Sequence, residues 1–126
     1  MIVVDVETTG LDPQKHSIVS IGAVDFSNPE NQFYQESRIW DGAEVTPEAL
    51  EVNGFTEEDV RDPNKKTLEK VIKEFFEWIK NIEDKTIAGQ DPAFDKSFLQ
   101  ASAERYGIEW KLGHRTVDLH SVCYFH

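Results

Sequence analysis

The chain has 126 residues, a formal net charge of −11 and a hydrophobic share of 39%. That length suits one domain around one core, and that hydrophobicity excludes a disordered chain. The acidic balance excludes a protein that coats nucleic acid by broad electrostatic attraction. It does not exclude a nuclease gripping a short strand end, because bound divalent cations reverse the sign locally. The lone Cys123 cannot form an internal disulfide, in keeping with a reducing compartment. Met1-Ile2-Val3-Val4-Asp5 lacks the basic segment of a signal peptide, and no apolar run is long enough to span a membrane. The expectation is a cytoplasmic protein without a membrane partner, forming a single domain over residues 1–126.

In chain order, Ile2 to Val6 is an apolar run broken by Asp5 and predicts a buried strand. Gly10, Asp12 and Pro13 mark a turn. Ile18 to Phe26 is rich in β-branched residues and predicts a second strand. The loop Ser27 to Asn31 leads to a third strand, about Gln32 to Trp40. Thr46 is a candidate N-cap with Pro47 at the first helical position, and Asn53-Gly54 a stop. Thr56 opens a second short helix. From Lys66 to Asn81, residues Leu68, Val71, Ile72, Phe75, Phe76 and Ile79 recur at helical spacing and predict a core-packed helix. Thr86 to Ala88 reads as a fourth strand ending at Gly89. Asp91-Pro92 caps a further helix that Gly107 ends, and Arg115 to Leu119 reads as a fifth strand. An early meander followed by strand–helix–strand crossovers implies a mixed sheet with helices on its faces.

Asp5 is the least expected residue of the first strand, because a charge inside an apolar run is expensive to bury unpaired. Strand alternation puts Asp5 and Glu7 on one side with Cα atoms roughly 6.5 Å apart. That spacing suits carboxylates bracketing hard cations near the C-terminal end of a strand, where open α/β sheets place ligand crevices. A strand ending in two solvated acids is the competing reading.

The residues that follow tilt the choice toward the first. Asp5-Val6-Glu7-Thr8-Thr9-Gly10-Leu11 resembles the first motif of the DnaQ-like (DEDD) 3′→5′ exonucleases. Ala88 to Leu99, with Phe94-Asp95 and Phe98-Leu99, is similar to that family's second motif. Thr116-Val117-Asp118-Leu119 looks like the strand that supplies a further aspartate, and Glu48 to Val60 resembles the linking segment. The resemblance implies a ribonuclease-H-like, three-layer α/β/α fold with a five-stranded mixed sheet. It implies a hydrolase that releases nucleoside monophosphates from the 3′ end of single-stranded DNA or RNA, using Mg²⁺ or Mn²⁺ in a two-metal site. It assigns Asp5, Glu7 and Asp95 to the metals and Asp118 to a supporting catalytic role. Thr8, Thr9, Leu11 and Phe94 would receive the terminal nucleotide. Taken without the family, Asp95 is an acid compensating a helix dipole, Asp118 is a supporting residue at a strand end or a helix N-cap, and Phe94 is a base-stacking ring or a core residue. Relatives often carry an amide where Asp91 stands.

The family's final motif, a general-base His or Tyr with a last metal-binding Asp, is implied on a helix beyond Asp118. The sequence ends before such a helix, so the expectation is an exonuclease domain truncated at its C-terminus. His16, His114, His120 and His126 read as surface residues and not as replacements. A fragment, a chain completed by a polymerase or other second subunit, and an inactive module that binds a nucleotide or a protein all fit.

Overall fold

A computed structural model describes residues 1–119; His120, Cys123 and His126 lie outside the described residues. The central strand is β1, Ile2–Thr8. Ile2, Val4, Val6 and Thr8 point into the core, while Asp5 is exposed and Glu7 half-buried. The period of two therefore aims Asp5 out of the core, and the expected burial of a lone charge does not occur.

Strands β2 (Ile18–Asp25) and β3 (Asn28–Arg38) continue from β1 as an antiparallel meander. The loop expected at residues 27–31 is a two-residue reversal at Phe26-Ser27. The Asp25 carboxylate accepts the Ser27 N–H at 3.0 Å, closing the turn early, so Asn28 already pairs with Asp25. Helix α1 (Pro47–Asn53) has Thr46 as N-cap and Gly54 in the left-handed region (φ 78°) as its stop. Helix α2 (Glu57–Val60) starts on a reciprocal capping box between Thr56 and Asp59.

The helix expected from Lys66 starts at Leu68 instead. Thr67 is an extended N-cap (φ −67°, ψ 156°) whose side chain accepts from the Lys70 N–H. Lys66–Thr67 is thereby freed to pair with Ser37 and Arg38 as strand β4. Helix α3 covers Leu68–Trp78 and runs into a 3-10 turn at Ile79–Asn81. Strand β5 (Ile87–Gly89), helix α4 (Pro92–Arg105) and strand β6 (Thr116–Asp118) complete the described chain.

The sheet order is β4-β3-β2-β1-β5-β6. β5 and β6 run parallel to β1, and β2 antiparallel to it. The architecture is thus an α/β fold on a mixed sheet, with six strands where five were expected, because β4 is too short and too polar to read as one. The core lies between the Ile2, Val4 and Val6 face and the apolar sides of α3 and α4, centred on Phe75, Phe98 and Leu99. Phe75 meets Phe33 edge-on at 5.5 Å between ring centroids. The other face of β1 carries Asp5 and Glu7, opposite Gly22 and Ser20 of β2. Among the described residues no helix is long and apolar enough to cross a membrane.

Candidate active site

β1 outruns its parallel neighbour. β5 pairs with β1 at Ile2 and Val3 and ends at Gly89, while β1 continues to Thr8. The Val6 N–H thus lies beyond the end of β5. A buried N–H needs a partner, and Asp95 supplies it, accepting that hydrogen at Oδ1 over 3.0 Å. Asp95 comes from the first turn of α4 and is only 5% exposed. The bond draws α4 onto the central strand and brings its carboxylate beside those of Asp5 and Glu7. All three, with Asp91, Phe94 and Gly89, line one cleft of about 640 Å³ at the C-terminal ends of β1 and β5. Such a crevice is where open α/β sheets place ligands.

The charges in this cleft repel one another. Burial pushes Asp95 up to about 7, and the charges of Asp5, Asp91 and Glu7 push the same way, while the Val6 N–H opposes them. Burial also raises Glu7, followed by the charge of Asp5 and its hydrogen bond with that acid. Every ion pair found among the described residues lies elsewhere, as in Lys65–Glu36 and Lys73–Glu69. Asp91 holds the N-cap position of α4, but its side chain makes no capping hydrogen bond. An all-oxygen donor set with surplus negative charge matches hard divalent cations. Among the described residues, no three acidic, histidine or cysteine side chains are already drawn together as a closed ligand cluster. The carboxylates therefore fit a cation chemically without enclosing one beforehand.

A second cleft, about 500 Å³, shares Val6, Glu7 and Phe94 with the first. Its walls are Thr8 at the end of β1, Gly10 and Leu11 beyond it, and Ala49, Val52 and Asn53 of α1. Leu11 and Val52 are 83% and 86% exposed. Two such apolar side chains at the mouth of one cleft form a surface suited to a flat apolar ligand. Asn53 ties α1 to β1 by donating from Nδ2 to the Thr8 carbonyl at 3.0 Å.

A family model described as "Exonuclease", of the RNase T type, matches residues 2–124. The chain belongs to this exonuclease family. It is 32% identical over 111 residues to a PolC-type DNA polymerase III of Thermotoga maritima, covering 87% of this chain and 8% of that protein. It is 27% identical over 123 residues to ribonuclease T of Haemophilus influenzae, covering 86% of this chain and 52% of the relative. The chain therefore spans about half of ribonuclease T and a small part of the polymerase. Among solved structures, E. coli exonuclease I in complex with a dT13 oligonucleotide superposes with a TM-score of 0.78 at 17% identity, covering 98% of this chain and 29% of that one. The nuclease domain of 3′hExo, a DEDDh family member bound to rAMP, gives 0.71 at 17% identity, covering 95% of this chain and 66% of that one. These superpositions carry the fold.

Within this exonuclease fold the site residues read from the sequence divide into three groups. Asp5, Glu7 and Asp95 converge on one cleft; Thr8, Leu11 and Phe94 line the adjoining one. Thr9 does not reach either cleft. It is fully buried, and its hydroxyl donates to the Glu44 carbonyl (2.7 Å) while accepting the Ser17 N–H (2.9 Å), so it builds the loop. Asp118 stands opposite Gly89 at the end of β6, and Leu119 rather than Asp118 lines the cleft. Phe94 packs on Phe98 at 4.9 Å between ring centroids and also lines both clefts. The contribution of α1 was not legible in the sequence. Its only signal was Val52, an apolar residue off the helix face that buries Leu50.

Proposed function

We propose that the protein is a metal-dependent 3′→5′ exonuclease acting on single-stranded DNA or RNA ends and releasing nucleoside monophosphates. The carrying observation is the Asp95–Val6 hydrogen bond, which sets a buried carboxylate from α4 against the acidic edge of β1, with no ion pair to Asp95 found among the described residues. Asp5, Glu7 and Asp95 would hold Mg²⁺ or Mn²⁺, with Asp118 in support. Bound there, divalent cations supply the positive charge that a phosphodiester needs and the activation of water. The protein's own part is positioning. Leu11, Val52 and Phe94 take the terminal nucleoside on apolar surface, and Asn53 fixes the Thr8 carbonyl at its edge. Glu7, common to both clefts, sets the distance between nucleoside and scissile bond. This reading places the protein in the cytoplasm, as one exonuclease domain working on a strand end alone or beside a polymerase.

Release of labelled mononucleotide from a 3′-labelled single-stranded oligonucleotide with Mn²⁺ tests this. Changes to residues behind metal ligands already cost about 10–100-fold, so Asp5→Ala should cost at least about a hundredfold. Equal release by the parent chain and Asp5→Ala would contradict the reading. A second reading is favoured by a specific observation: the described histidines, His16 and His114, line neither cleft. A module that binds a nucleotide with metal but does not cleave accounts for that, and it predicts mononucleotide binding without release of label.

A further inference from the structure

His16 was expected to be a surface residue, yet it is half-buried inside the loop that carries Leu11. Its ring Nδ1 accepts the Asp12 N–H at 3.0 Å, and its backbone N–H donates to the Asp12 carbonyl at 2.8 Å. The two residues thus clamp each other across one turn. The imidazole also fills the space beside Gly10, where a side-chain carbon would collide with the ring. The loop's base is fixed separately, by the Thr9–Ser17 and Thr9–Glu44 hydrogen bonds and the Lys15 carbonyl accepting from the Glu44 N–H. His16 holds its tip, residues 10–12, at the Asp12 N–H, while the Thr8 hydroxyl donates to the Gly10 carbonyl at 2.6 Å and the Gln14 and Lys15 N–H groups donate to the Asp12 carboxylate and carbonyl. Leu11 is 83% exposed, so packing does little to set its direction. The backbone of Gly10 and Asp12 must do so.

We propose that His16 is a positioning residue for nucleotide binding: its Nδ1, as acceptor for the Asp12 N–H, sets the Leu11 lip of the cleft between the loop and α1. This rests on the reading of that cleft as the terminal-nucleotide site. His16 touches neither the nucleotide nor the carboxylates. It acts through the backbone on either side of Leu11.

Two substitutions separate its features. His16→Asn keeps an acceptor oxygen on Cγ, where Nδ1 is attached, and loses most of the ring. His16→Phe keeps a ring beside Gly10 and loses the acceptor. Losing one such hydrogen bond should weaken binding of adenosine 5′-monophosphate with Mn²⁺ by about three- to tenfold in His16→Phe. His16→Asn should restore most of it. Hydrogen exchange at the Asp12 amide, read by NMR, should speed up in His16→Phe and stay slow in His16→Asn, with the β2 amides unchanged in both. Unchanged Asp12 exchange in His16→Phe, parent-like nucleotide binding by that variant, or no rescue by His16→Asn overturns the proposal. Leu11→Ala is the separate control. If it binds the nucleotide as the parent does, or if the parent does not bind at all, the cleft reading fails, while the Asp12 amide still reports on the brace.

Discussion

Asp95→Asn is expected to stabilise the metal-free protein at pH 8 while removing its stabilisation by Mn²⁺. Burial and the neighbouring acids raise the folded Asp95 from 3.8 to about 7. Between those values the folded chain holds a proton that the unfolded chain has released. Stability is therefore full below about pH 4 and is lost as pH rises through about 7, where the group must ionise inside the cleft. Glu7, raised for the same kind of reason, pushes in the same direction. Allowing for the water that reaches the cleft, the loss is on the order of 2 kcal/mol. Asparagine keeps an oxygen for the Val6 N–H and carries no charge, so its unfolding midpoint in EDTA should fall less from pH 5 to pH 8 than the parent's. Added Mn²⁺ should raise the parent's midpoint at pH 8 and leave the variant's unchanged. Identical pH profiles for the two proteins would show that Asp95 is not the strained group.

The second large effect is expected at Gly89. A Cβ there would stand 2.8 Å from the Val4 carbonyl oxygen and 3.4 Å from Asp95 Oδ2. The first contact is with backbone and cannot be relieved by a rotamer change. Gly89→Ala must push β5 away from β1, at a cost of about 2–3 kcal/mol. The damage is not confined to stability, because α4 begins three residues later and Asp95 reaches Val6 across this junction. Urea denaturation should show the lower midpoint, and exchange at the Val6 amide should accelerate beyond what global destabilisation explains. A midpoint equal to the parent's would mean the strands have room that the structure does not show. Gly113 makes a useful comparison, since a Cβ there would lie 3.3 Å from the Lys85 carbonyl oxygen, a milder approach.

Much of this site was legible in the sequence because its parts obey local rules. Asp5 and Glu7 share a side through strand alternation, and Asp91-Pro92 announces the helix that delivers Asp95. Asp5 departs from the sequence expectation in one respect. An apolar run reads as buried on both faces, but β1 buries one face, and the acid lies on the other. What stayed hidden depends on contacts between distant segments. β4 is two polar residues that become a strand because Ser37 and Arg38 lie beside them. Val52 joins the Leu11 cleft because Asn53 docks α1 on Thr8, 45 residues away in sequence. The clamp of His16 on Asp12 is local, yet no periodicity encodes a side chain accepting from a loop amide. Thr9 stood in the right motif, but its hydroxyl turns inward to Glu44, a segment whose position the motif does not contain.

The central claim is that carboxylates from β1 and α4 form a cation site, and titration of the protein with Mn²⁺ by calorimetry at pH 8 tests it most directly. The parent chain, Asp5→Ala and Glu104→Gln should be compared, the last changing an exposed acid at the far end of α4. Saturable binding by the parent and by Glu104→Gln, with affinity at least about tenfold weaker in Asp5→Ala, is the expected result. Binding unchanged in Asp5→Ala, or lost equally in Glu104→Gln, would contradict a site built on Asp5, Glu7 and Asp95.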